Sequence, residues 1–148
     1  MSEAKGMDIF MIKGISAVAV AVKDLDEAVQ RFEVLLGQKY SRKFSDDYFP
    51  FPGIKGLAFD LEGANLYLLS SDSELTSVGR FLKNNGEGIF LITTKTDNIE
   101  EDMARMRENE IEFLLQEPVS GQFGTVNFIH PKLAHGVQIE LSNPHQKA

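Results

Sequence analysis

The stretch ISAVAVAVKDLDEAVQRFEVLLG, residues 15–37, holds a strand, a cap and a helix in direct succession. Val18, Val20 and Val22 alternate with Ala17, Ala19 and Ala21, which places the two sets on opposite faces of a strand. Asp24 stands where a helix needs its N-cap, with Glu27 three residues on as the capping-box partner. Leu25, Ala28, Val29, Phe32, Leu35 and Leu36 recur at helical spacing, and Gly37 supplies the stop. The valine face therefore packs on the helix that follows. A strip of three alanines is left facing elsewhere.

The same unit recurs 74 residues further on, where Val22-Lys23-Asp24-Leu25-Asp26-Glu27 is matched by Thr96-Asp97-Asn98-Ile99-Glu100-Glu101. Asn98 takes the cap position of Asp24, and Ile99, Met103 and Met106 continue the helical stripe. After the first helix come the polar-aromatic segment QKYSRKF, read as an exposed strand, and a hairpin over residues 55–70. Leu75, Val78, Phe81 and Leu82 mark a short connecting helix. In the second half, IEFLLQEP reads as a strand ending at proline, and TVNFIHP with HGVQIELS as a closing hairpin. The expected fold is α+β: two βαβββ modules in a pseudo-twofold arrangement, forming a cupped mixed sheet with its helices outside. A single domain over residues 1–148 is expected, with modules at 13–70 and 87–142, a connector helix at 71–86 and a disordered tail at 143–148. Residues 1–12 read as a loose lead-in, of which Ile9–Ile12 can pack as a short edge segment.

Composition narrows the function. A net charge of −7 argues against non-specific nucleic-acid binding, which needs a basic face. The absence of cysteine leaves no disulfide and no thiolate metal site. No apolar run reaches the length of a membrane span, and the first residues lack the apolar core of a signal peptide, so a cytoplasmic protein without membrane partners is expected. The loop DDYFPFPG carries Tyr48, Phe49 and Phe51 between two prolines that preclude a regular central strand. These rings either lie over a site or seal the domain edge.

VAVKDLDEAVQRFEVLLG, FLKNNGEGI and FIHP followed by GVQIEL are similar to sequences of the vicinal oxygen chelate superfamily, which includes glyoxalases, bleomycin-resistance proteins, extradiol dioxygenases and methylmalonyl-CoA epimerases. The resemblance spans roughly residues 13–142, is nearest to the epimerase branch, and implies a single glyoxalase-like domain that forms a homodimer. It also implies a divalent metal in the cup between the modules, held by two histidines and two Glu or Gln residues. At those four positions this chain has Ala17, Tyr67, Leu91 and Glu140. A methyl and an isobutyl group donate nothing and a phenol is a weak ligand, so no metal and no other cofactor is expected. His130 and His135 read as surface or capping residues, and His145 lies in the tail.

Side-chain alternation places Ala17, Ala19, Tyr67, Leu91, Thr93, Asn127, Gln138 and Glu140 on the inner face, with Tyr48, Phe49 and Phe51 available to close over it. Such a lining, largely apolar with a few polar groups, suits a small organic ligand; the alternative is a cup filled by its own side chains. Glu140 is the candidate acid/base, since a lone carboxylate in apolar surroundings has its ionised form disfavoured; the plainer reading is an inherited residue bonded to its neighbours. Three functions follow: a metal-free binding protein for a small organic molecule, which the acidic net charge would bias toward a neutral or cationic ligand; an isomerase, epimerase or lyase acting on a CoA thioester or similar substrate through Glu140; or a catalytically silent structural or regulatory subunit.

Overall fold

The computed structural model describes residues 12–49 and 51–144. The expectations for residues 1–11 and for the tail beyond Pro144, His145 included, lie outside the described residues. The chain divides into two compact units, residues 16–91 and residues 92–144 with 12–15.

In the first unit, β1 (Ile12–Ala21, whose first residues belong to the second unit) leads into α1 (Leu25–Leu36). Asp24 caps α1 by accepting the Glu27 N–H at 3.1 Å, and Gly37 ends it in the left-handed conformation at φ 69°. Three strands follow: β2 (Arg42–Lys43), β3 (Lys55–Phe59) and β4 (Asn65–Ser70). Their order is β2-β3-β4-β1, with β1 and β4 parallel and the other pairs antiparallel. The core lies on the valine face of β1. Val22, Leu57, Phe59 and Leu68 are buried there, with Val20 and the apolar stripe of α1 packed against them. Helix α2 (Ser77–Asn85), capped by Thr76, completes this unit, and its Phe81 ring meets Phe90 edge-on.

The second unit repeats the order. β5 (Gly88–Thr96), which crosses into it at Ile92, precedes α3 (Ile99–Glu108), capped by Asn98 through the Glu101 N–H at 3.1 Å. Then come β6 (Val119–Gly121), β7 (Gly124–Ile129), a 3₁₀ turn (Pro131–Ala134) and β8 (Ile139–Asn143). The strand order is β5-β8-β7-β6, with β5 and β8 parallel. Ile99, Met103, Ile129 and Leu141 form the core, with Ile12 packed against it. The fold is therefore α+β, each unit a strand, a helix and three strands.

Four local expectations are corrected. QKYSRKF forms only the two-residue β2, flanked by Ser41 and Phe44, whose N–H groups bond the β3 carbonyls of Ala58 and Gly56, while Gln38, Lys39 and Tyr40 lie outside the ladder. IEFLLQEP is not a strand; a single bridge joins Phe113 to Ile129, and regular pairing starts only at Val119. Ile12 is part of β1 and of a core rather than of the lead-in. Asn143 is not tail but the last residue of β8, and its side chain accepts the Ile99 N–H at 3.1 Å, adding a second cap to α3.

Candidate functional site

The parallel pairing of β1 with β4 sets the inner face of the first unit. Ala17 stands beside Asn65, Ala19 beside Tyr67 and Ala21 beside Leu69. Tyr67 pairs in turn with Ala58, and Ala58 with Arg42, so one row reads Ala19, Tyr67, Ala58, Arg42 across four strands. Ala17, Ala19 and Ala21 are 0%, 1% and 0% exposed, and Ala58 is 0% exposed. No water-sized space touches this strip, so a ligand reaching these alanines has to displace what covers them.

The aromatic loop reaches the same face through Phe44, whose N–H bonds the carbonyl of Gly56 at 2.9 Å. A side chain at Gly56 would collide with Leu69 and touch Phe44, so glycine here lets both lean over the sheet. Tyr48 stacks on Phe44 at 4.4 Å between ring centroids, and Phe49 and Tyr67 meet Phe44 edge-on at 5.3 and 5.2 Å. Two of the three loop rings are thus gathered beside Tyr67; Phe51 is half-buried.

Arg42 is the residue that sequence reasoning missed. Its guanidinium carbon lies 5.4 Å from the Phe44 centroid and 5.8 Å from that of Tyr67, and its Nε donates to Asp60 at 3.3 Å. Burial pulls the guanidinium pKa down, but hydrogen bonds with the Tyr67 and Tyr48 side chains outweigh that and leave it raised. The available signal was the two-residue spacing of Arg42 and Phe44, which puts a cation and a ring on one face of a strand.

In the second unit, Thr93 pairs with Glu140 and Lys95 with Ser142, so these four share a face. The Thr93 hydroxyl donates to Glu140 Oε1 at 3.0 Å. Burial pushes the Glu140 carboxyl up from 4.5 to about 7, and the Thr93 hydrogen bond offsets only part of that rise. Such a group is present in both protonation states near neutrality and can give or take a proton. Gln138 lies one turn of the strand alternation from Glu140, and its carbonyl accepts the Ile92 N–H at 3.0 Å. Leu91 is 7% exposed, whereas Ile89, two residues before it in β5, is 63% exposed.

Asn127 does not belong to this face. It pairs with Leu141, while Phe128 pairs with Glu140, so the alternation along β7 is opposite to that expected. The Asn127 side chain is fully buried against Met103 of α3. There it donates to the carbonyl of Leu115 at 2.9 Å and accepts its N–H at 3.2 Å. The physical reason is the missing strand at 111–118: the Leu115 backbone has no ladder, and a buried amide supplies both bonds. His130, at the end of β7, caps the 3₁₀ turn by accepting the Lys132 N–H at 3.1 Å, and His135 ends that turn at φ 54°.

The four positions that the family resemblance assigns to a metal hold a buried methyl group, a phenol whose ring lies beside Arg42, an isobutyl group and one carboxyl bonded to Thr93. This donor set does not fit a divalent ion. Among the described residues, no group of three or more His, Asp or Glu side chains is arranged to hold one, and no helix is long and apolar enough to cross a membrane.

Residues 17–130 match the family described as the Glyoxalase/Bleomycin resistance protein/Dioxygenase superfamily. Among solved structures, the chain is similar to methylmalonyl-CoA epimerase from Mycobacterium tuberculosis, with 28% identity over 92% of this chain and 91% of that one, at a TM-score of 0.80. A hypothetical protein from Bacillus halodurans C-125 is 26% identical over 90% of this chain and 96% of that one, with a TM-score of 0.81. A variant Streptomyces coelicolor methylmalonyl-CoA epimerase, in complex with 2-nitronate-propionyl-CoA, is 28% identical over 88% and 96%, with a TM-score of 0.76. No curated protein matches the sequence.

Proposed function

This chain belongs to the glyoxalase/bleomycin resistance protein/dioxygenase superfamily, and we propose that within it the protein binds a small organic molecule without a metal, anchored by Glu140. The observation that carries this reading is the carboxyl of Glu140, desolvated to a pKa of about 7 and oriented by Thr93. A carboxyl that is partly protonated at neutral pH donates to a ligand carbonyl as readily as it accepts from an N–H. Thr93 and Gln138, of the same unit as Glu140, are the further residues proposed to line the ligand. The homodimer expected from the family is part of the same reading, and light scattering that finds a monomer at micromolar concentration would remove it.

The test begins with purified, EDTA-dialysed protein, from which retained compounds are released and identified by mass spectrometry. A library of small carbonyl compounds and acyl-CoA esters is then screened by thermal shift. Replacing a charged or strongly polar hydrogen-bond partner of a buried ligand costs about 1.5–3 kcal/mol, so Glu140→Gln is expected to weaken the best binder roughly ten- to a hundredfold. Unchanged affinity places the ligand elsewhere. One equivalent of a divalent metal per chain by elemental analysis would overturn the metal-free part.

A second reading is favoured by one specific combination. Solved structures similar to this chain are methylmalonyl-CoA epimerases, and a carboxyl near pKa 7 suits proton transfer next to a carbonyl. Under this reading Glu140 moves the proton α to the thioester of an acyl-CoA. Exchange of the α-proton of methylmalonyl-CoA in D₂O with chelator present, abolished in Glu140→Gln, would establish it. Binding without exchange leaves ligand binding as the function, and neither leaves a silent subunit.

A further inference from the structure

Arg42 has no part in the reading built on Glu140, yet it is held in position on three sides. Phe44 and Tyr67 present their rings to it, and Asp60 takes its Nε at 3.3 Å. Despite these contacts 39% of the side chain remains exposed. The ion pair with Asp60, itself 49% exposed, is a surface pair of the kind that an incoming anion and water readily compete with. Five N–H donors sit on a guanidinium in a rigid fork. The Tyr67 ring lies beside the same guanidinium, and its phenol carries an O–H that can donate.

We propose that Arg42 and Tyr67 form a receptor for a small organic carboxylate, whose apolar body lies against the rings of Tyr48 and Phe49. A carboxylate matches a guanidinium fork in plane and spacing, and a charge-assisted pair flanked by a phenol donor discriminates against a neutral isostere. Tyr48 stacks on the buried Phe44, and Tyr48 and Phe49, 5.0 Å apart and nearly perpendicular, supply an apolar corner. This reverses the bias toward a neutral or cationic ligand drawn from the net charge of −7, because the local charge on this face is that of Arg42. The inference goes beyond the Glu140 reading and stands on different residues, so either can fail alone.

Ligand-detected NMR titration with benzoate, and with benzamide as the uncharged isostere, tests it at low ionic strength. The wild-type protein is expected to bind benzoate about tenfold more tightly than benzamide. Ring signals of Tyr48 and Tyr67 should shift while those of Tyr40, the third of the three tyrosines, stay in place. Arg42→Gln should erase the preference. Tyr67→Phe should reduce it about threefold without touching benzamide binding. Arg42→Lys, which keeps the charge but not the fork, should retain only part of it, and serves where Arg42→Gln does not fold. Absence of saturable benzoate binding, equal binding of the two probes, shifts confined to Tyr40, or a preference that survives in folded Arg42→Gln would each overturn the proposal.

Discussion

Ala19 beside Tyr67 and Thr93 beside Glu140 are one backbone arrangement carrying two chemistries. In the first unit the neighbour is an alanine, and Tyr67 instead meets Arg42 two strands away, whose guanidinium carbon lies 5.8 Å from its ring centroid. In the second the neighbour carries a hydroxyl, and the pair Thr93–Glu140 satisfies itself across adjacent strands at 3.0 Å. The repeat has preserved register while the side chains that register brings together have diverged. An inherited backbone position therefore says where a functional group sits, but its partner decides what it does.

The largest test exchanges the bulk of the two units. Ala17→Leu gives the first unit the residue found at Leu91. With no space around Ala17, overpacking should lower the free energy of unfolding by about 3 kcal/mol. The converse, Leu91→Ala, should cost about as much by leaving a cavity. Urea denaturation measures both, and a change under about 1 kcal/mol for Ala17→Leu would mean that the alanine strip has room after all.

A smaller effect separates the two polar groups by pH. The Glu140 carboxyl is raised in the folded protein to about 7 from 4.5, so the native state holds this proton more tightly than the unfolded chain. Its stabilisation is complete below pH 4.5 and is lost as pH rises through 7. Discounted for the partial exposure of the residue, the loss is about 2 kcal/mol. Glu140→Gln keeps the shape without the charge, so above pH 7 it should be the more stable protein, with a flatter profile between pH 4.5 and 7. A wild-type profile already flat over that range would break the contrast.

The smallest prediction sharpens it. Thr93→Val removes the hydroxyl that favours the ionised carboxyl, at a cost of about 1 kcal/mol to that form. An NMR titration of Glu140 should then place its pKa further above 7.

Asp24 and Asn98 announced both helices, because a capping side chain acts on a backbone N–H only three residues away. The faces of β1 and β3 were equally legible, since each alternates apolar and small residues over a continuous ladder. Asn127 was not. A polar residue in a strand suggests an open site, and nothing local reveals that Leu115, twelve residues before it, lacks a ladder partner. Arg42 escaped for a related reason: its meaning lies in Tyr67 and Tyr48, which reach it from another strand and a loop. Local order is written in spacing, whereas the partners of polar groups are set by contacts remote in sequence.

The parallel pairs also govern how the chain must be assembled in time. Ala17 pairs with Asn65, 48 residues later, and Thr93 with Glu140, 47 residues later. Neither unit has its sheet until its final strand arrives, and loop-closure entropy is spent before that pairing returns anything. For the second unit the final strand includes Asn143, which also caps α3. During synthesis the first unit can close once β4 has emerged, but the second must wait for β8, about 70 residues later, leaving the apolar stripe of Ile99, Met103 and Met106 in search of cover until then.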